Sequence, residues 1–326
     1  MRRTLIRGAV AAVALAALAL MIPTAAAGQK TAASRTQWGD PDLEGIWSYA
    51  TITPLERPER YANREFLTKE EAAAANTEAA TRGDQRSTNR AADVEGAYNS
   101  FWWDRGQSTG RTSLIIDPPD GRLPPLTTEG QRRRAAAAAY RRDHGYDSWE
   151  SRPLQERCLT YHGVPPLPTG YNNHFQVVQA PGMVALLSEN IHDVRLVPLD
   201  GRARPPARVG QWNGISRGRW EGETLVVETG NYHEKTALRF QIAPETTTSV
   251  ERFRRDGADR IDYRFTITDL TTYTKPFTVM LPLNRIEGPV LEYACHEGNY
   301  GLRHVLEGAC FLEKEEAEHA TNGAPR

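Results

Sequence analysis

The clearest pattern in the chain is the run Arg260-Ile261-Asp262-Tyr263-Arg264-Phe265-Thr266-Ile267, which sets Ile261, Tyr263, Phe265 and Ile267 on one side. A period of two predicts a β-strand with one buried and one wet face. Shorter runs of the same kind lie at 175–179, 184–187, 194–197, 224–228, 250–253 and 279–283. Pro181-Gly182, Asp200-Gly201, Glu221-Gly222 and Asp256-Gly257 punctuate them as turns. Short strands separated by turns, with no helical pattern between them, predict a mainly β fold: an antiparallel barrel or sandwich over 151–326.

The preceding part reads differently. Residues 28–40 are polar and predicted to fray, and 41–47 lead into a short strand through Ile52. Thr68-Lys69-Glu70-Glu71 has the spacing of a capping box ahead of an alanine-rich run, which predicts a helix start. A loop is expected over 83–97, then a strand over 112–117 that Pro118-Pro119-Asp120-Gly121 stops. Thr128-Glu129-Gly130-Gln131 predicts the cap of a second helix ending near Gly145. Both helices are rich in Ala and Arg and thin in large apolar residues, so they are placed on the outside of the β domain. The expected organisation is a leader over 1–27, an N-terminal segment over 28–150 with one or two strands and two peripheral helices, and an antiparallel β domain over 151–326.

The leader changes the picture of where the protein works. Arg2, Arg3 and Arg7 precede an apolar run over 8–21, and Ala25-Ala26-Ala27 supplies small residues for cleavage. This is the pattern of a removed signal peptide, and Arg2-Arg3-Thr4-Leu5-Ile6-Arg7 fits a twin-arginine signal as well as a general secretory one. A periplasmic or secreted protein is expected. No later run reaches the roughly 18 apolar residues of a spanning helix, so no stable membrane insertion is expected. Without the leader the chain carries 37 basic and 41 acidic residues, interleaved and without a basic stripe, which argues against a nucleic-acid partner. Neither a G-x-G-x-x-G nor a phosphate loop is present, so no nucleotide cofactor is expected. The three cysteines, Cys158, Cys295 and Cys310, allow one disulfide and one free thiol. Cys158–Cys295 is taken as the pair, with three free thiols as the alternative.

Blocks at 41–47 (PDLEGIW), 99–105 (NSFWWDR), 111–120 (RTSLIIDPPD), 218–228 (GRWEGETLVVE) and 293–301 (YACHEGNYG) together resemble an exported bacterial family that carries them in the same order. The resemblance implies export and brings no mechanism with it. Gly45-Ile46-Trp47 also resembles the opening strand of lipocalin-like barrels, where the Trp closes one end of the cavity; this implies a fold and not a function.

Candidate chemistry gathers at predicted strand ends. Cys295-His296-Glu297-Gly298-Asn299-Tyr300 is the densest polar cluster, expected to end a strand over 290–294. There His296 transfers a proton and Glu297 orients it; the plain alternative is a structural turn. In His192-Asp193-Val194-Arg195 alternation puts Asp193 and Arg195 on one face, able to pair, while His192 turns away as a general base near Glu189. Arg195, expected to hold an anionic or carbonyl oxygen, and Asn172, Asn173, His174, Asn299 and Trp220 are candidate substrate-binding residues, although Asn172 and Asn173 also read as turn formers. Gly214-Ile215-Ser216-Arg217-Gly218 matches the hydrolase G-x-S-x-G, but no helix follows it, so a hairpin loop is the better reading. His174, His192, His296 and Glu297 are the right types for a metal, yet no local spacing joins them, so no metal is expected. Two functions remain open. One is a cofactor-independent acid–base enzyme acting on a small molecule in a barrel cavity. The other is a non-catalytic protein that binds an apolar or aromatic ligand there. A convergent His/carboxylate pair at the cavity favours the first, and a wall of apolar groups and amides favours the second. The oligomeric state stays open.

Overall fold

Eleven strands are joined in one antiparallel sheet in this computed structural model, which describes residues 34–81, 103–161 and 163–322, with His192, Thr321 and Asn322 described by backbone alone. They are β1 (Gly45–Ser48), β2 (Ile115–Asp117), β3 (His174–Ala180), β4 (Met183–Ser188), β5 (Val194–Pro198), β6 (Ile215–Glu221), β7 (Thr224–Gly230), β8 (Thr248–Arg255), β9 (Arg260–Thr268), β10 (Phe277–Met280) and β11 (Leu283–Arg285). Nine of them follow the order β5-β4-β3-β1-β11-β9-β8-β7-β6, while β10 pairs with β9 and β2. Twist curls this path until its ends approach, giving a nearly closed β-barrel. At the seam β6 needs a glycine, because a Cβ at Gly218 would stand 2.7 Å from Val197 Cγ1 on β5.

The period of two is borne out on β9, where Ile261, Tyr263, Phe265 and Ile267 are all buried. They meet Phe253 of β8 and Phe175 of β3, the Phe253 and Tyr263 rings stacking with centroids 4.5 Å apart. Gly182 and Gly222 close the β3–β4 and β6–β7 hairpins with φ of 72° and 61°, which side-chain-bearing residues rarely adopt.

The N-terminal segment is built into the barrel and does not only rest on it. β1 lies between β3 and β11, and the compact unit runs from Arg35 to Arg326. Helices α1 (Lys69–Thr81) and α2 (Thr128–His144) are peripheral, as their composition predicts: α1 buries nothing and α2 only Gly130, which sits against Thr272 O. The capping box on α1 forms, with Glu71 N donating to Thr68 Oγ1 at 3.1 Å and Thr68 N to Glu71 Oε2 at 2.8 Å. On α2 the cap is Thr127, one residue earlier than expected, its Oγ1 accepting from Gly130 N at 2.9 Å.

Other expectations are corrected. Residues 35–41 do not fray, since Arg35 bridges to Pro41 and Thr36 N donates to Asp40 O at 2.9 Å. The run over 279–283 is divided between β10 and β11 at Pro282, which has no N–H to give a ladder. Residues 290–294 form no strand: they follow Pro289, pair with none of the described strands and are mostly exposed. The last element, α3 (Gly301–Asn322), is helical and not β, and its side chains are largely exposed. The 1–27 leader and the 83–97 loop lie outside the described residues.

Cys158 and Cys295 are joined by a disulfide spanning 137 residues, and Cys310 is free and exposed. Such a bond persists in oxidising compartments. No described helix is long and apolar enough to cross a membrane.

Candidate functional site: a cavity at one end of the barrel

β1 and β4 end, and β3, β5 and β6 begin, at the same end of the barrel. A strap formed by residues 160–161 and 163–166 crosses there. Between strap and barrel lies a narrow, partly open slot with about 50 Å³ of water-accessible space. Rings of Tyr49, Tyr161, Phe175 and Phe253 form much of its wall, together with Leu186, Val164 and Pro166.

A few polar groups are set into this apolar wall. Thr160 Oγ1 donates to Asn213 Oδ1 and Asn213 Nδ2 donates to Asp193 Oδ2, each at 2.8 Å. These bonds tie the strap, the approach to β6 and the β4–β5 turn together. Tyr232 OH donates to Val164 O at 3.0 Å and also meets Ser249 Oγ at 3.1 Å, fixing the strap from inside. The disulfide holds the same strap from outside, because Cys158 lies two residues before Thr160.

The β4–β5 turn, residues 189–193, is the most unusual part of the wall. Asn190 is 4% exposed and lines the cavity. Its Nδ2 donates to Asn172 O at 2.8 Å and its Oδ1 has no partner among the described residues. A buried acceptor left so costs about 1–3 kcal/mol. Next to it, Ile191 is buried with φ 55° and ψ 22°, a left-handed conformation that a β-branched residue adopts only when its surroundings impose it.

Behind this turn, on the outer side of β3, the ring of His174 lies between two carboxylates. Its Nδ1 is 3.0 Å from Glu189 Oε2 and its Nε2 is 3.5 Å from Asp104 Oδ2. The hydrogen bond to buried Glu189 outweighs partial burial and raises the His174 pKa, with both negative charges adding to the effect. Tyr49 lies on the cavity side, and burial is the main reason its hydroxyl is held protonated far above neutrality. Tyr161 is pushed up to about 12, chiefly by burial and then by its neighbour Tyr171.

Deeper in the barrel Arg195 gives both guanidinium Nη atoms to Glu251, whose other ligand is the Tyr263 hydroxyl at 2.8 Å. The expected pairing of Asp193 with Arg195 is replaced by this one: Asp193 accepts from Asn213, at the rim. Below the cavity Trp47 is fully buried, its Nε1 donating to Leu43 O at 3.0 Å and the Arg255 guanidinium 4.9 Å from its ring centroid.

The expected site residues separate into groups. Asp193 and Arg195 line the cavity, while Asn172 does not: it has a left-handed turn conformation, φ 57°, and its carbonyl accepts from Asn190 Nδ2. Asn173 is a fully buried latch, accepting from Thr169 N at 2.7 Å and donating to Asp104 O and Thr169 O at 3.1 Å. His174 flanks the cavity from outside. His296 and Glu297 do not line it; they are exposed in a turn beside the disulfide, where Asn299 Nδ2 donates to Cys295 O at 2.8 Å and Asn299 Oδ1 accepts from Gly301 N at 3.0 Å. Trp220 is near the far end of β6, about 20 Å along the strand from Asn213. The His192 side chain lies outside the described residues. Ser216 is buried in β6 rather than in a loop, its Oγ 2.8 Å from Thr229 Oγ1, so it forms no nucleophile elbow. Among the described residues no group of three His, Cys, Asp or Glu is arranged to hold a metal.

Sequence reasoning missed Tyr49, Thr160, Asn190, Asn213 and Glu251. One signal was present for Glu251: it shares the inward face of β8 with Ser249 and Phe253, and a charge at such a position calls for a buried partner. No family model, curated protein or solved structure matches the chain.

Proposed function

We propose that this is an exported binding protein that holds a small aromatic molecule in the slot at the barrel end. The observation that carries the reading is the wall itself: four aromatic rings, with amide and hydroxyl groups and the Asp193 and Arg195 side chains set among them. Aromatic walls with few oriented polar groups suit a flat apolar ligand and fix its orientation. Cleavage of residues 1–27 delivers the protein to the periplasm or medium, where the Cys158–Cys295 bond is stable.

The acid–base enzyme is the second reading, favoured by one observation: a carboxylate, Asp193, lines the same cavity. Its Oδ2 accepts from the Asn213 amide, which fixes the position of the carboxylate.

A thermal-shift screen of small neutral aromatic compounds tests the binding reading. Hits raise the melting temperature of the natural chain and lose that effect in Leu186→Trp or Ser188→Phe, which fill the slot. Hits that shift the filled variants equally, or a panel with no hits, contradict it. Recovery of a hit chemically changed after incubation favours the enzyme.

A further inference from the structure

We propose that the ligand is a neutral aromatic compound whose hydroxyl or ring N–H donates a hydrogen bond to Asn190 Oδ1, an inference that rests on the binding reading above. The orientation of the Asn190 amide is decided by its partners. Asn172 O can only accept, and it stands 2.8 Å from Nδ2, so the nitrogen must face it. The Tyr49 hydroxyl is a further 3.5 Å contact of the same nitrogen. Oδ1 is therefore the atom left over, buried and without a partner among the described residues, on a residue that lines the cavity. Buried acceptors in folded proteins are nearly always satisfied. A ligand that displaces water from this wall must bring a donor of its own.

Charge narrows the class further. Arg195 is the one cation among the described residues lining the cavity, and Glu251 takes both its Nη atoms. Asp193 adds a carboxylate to the wall, and Glu189 stands one residue from Asn190. An anionic ligand would meet these acidic groups with no uncommitted cation to receive it among the described lining residues. The slot is narrow and its rings are close, which suits a planar molecule of one or two fused rings. The left-handed Ile191 beside Asn190 is a second sign that this turn is held for a purpose other than its own stability.

Three naphthalenes test the proposal by fluorescence titration of the intact chain: 2-naphthol, its methyl ether and 2-naphthoate. Indole against 1-methylindole repeats the comparison with an N–H donor, so the test needs no variant. The donor-bearing compound is expected to bind about tenfold or more tightly than its methylated partner, the cost of leaving a buried acceptor unpaired. In Asn190→Leu, checked for fold by circular dichroism, that ratio should fall close to one. Equal affinity of the methylated and unmethylated compounds in the natural chain overturns the proposal and leaves the binding reading standing, as does tightest binding of 2-naphthoate. Absence of binding by all five compounds overturns the cavity reading itself and the proposal with it.

Discussion

Arg195 and Glu251 meet inside the barrel through both guanidinium Nη atoms and both carboxylate oxygens, and Glu251 has no exposed surface. Two charges taken out of water are tolerable only while each satisfies the other. Removing one partner strands the other charge, at a cost of about 3–5 kcal/mol. We expect Glu251→Ala to lower unfolding free energy by that order in urea titrations. The double variant Arg195→Met, Glu251→Leu should recover most of the loss, because an apolar pair of similar volume needs no solvation. If the double variant is no more stable than the single one, the pair does not balance in this way.

His174 makes stability depend on pH. Its folded pKa is raised above the ordinary 6.5 by Glu189 first and Asp104 in addition. A raised folded value means that the stabilisation is fully present below about pH 6.5 and fades as pH rises through the folded pKa. The urea midpoint should fall between pH 6 and pH 8.5, and His174→Gln should flatten that part of the curve. An unchanged profile in the variant would mean that His174 is not the group responsible.

The disulfide closes a loop of 137 residues, for which the chain-entropy relation gives about 5 kcal/mol of stabilisation. Denatured without reductant, the chain should take up one alkylating group, at Cys310; reduction should raise this to three and lower the melting temperature. Three labelled cysteines without reductant would rule the bond out.

Much of the barrel was legible because β-strands write their burial into alternation. Ile261, Tyr263, Phe265 and Ile267 need no tertiary context to be assigned to one buried face, and turns such as Pro181-Gly182 mark where the strands reverse. Elements that depend on partners were harder. Residues 290–294 are apolar enough for a strand but join none of the described strands, and Ser216 reads as a loop until Thr229 is seen opposite it. The cavity was the least visible, since Tyr49, Thr160, Asn190 and Asn213 come from four separate segments and share no local spacing. The densest polar cluster, at His296 and Glu297, drew attention for its composition and proved to be an exposed turn. Residue type marked it, whereas burial marks Asn190.

Export is checked by mass. The mature protein recovered from the periplasm or medium should begin near Gly28, and a full-length species predominating there would contradict cleavage of the leader.

His296 offers a control on location. His296→Gln should leave both the affinity for 2-naphthol and the melting temperature close to those of the natural chain, because the turn at 296–299 is held by Cys295 O and Asn299. A loss of binding of tenfold or more would return the site to that turn.

The most direct measurement is chemical-shift mapping of the isotope-labelled chain as 2-naphthol is added. Ligand in the slot should move the side-chain amides of Asn190 and Asn213 and the ring signals of Tyr49, Phe175 and Phe253, while leaving Asn299 and Trp220 in place. Shifts confined to Asn299 and its neighbours, to the Trp220 end of the barrel or to the outer face of α2 would contradict the assignment of the cavity as the binding site.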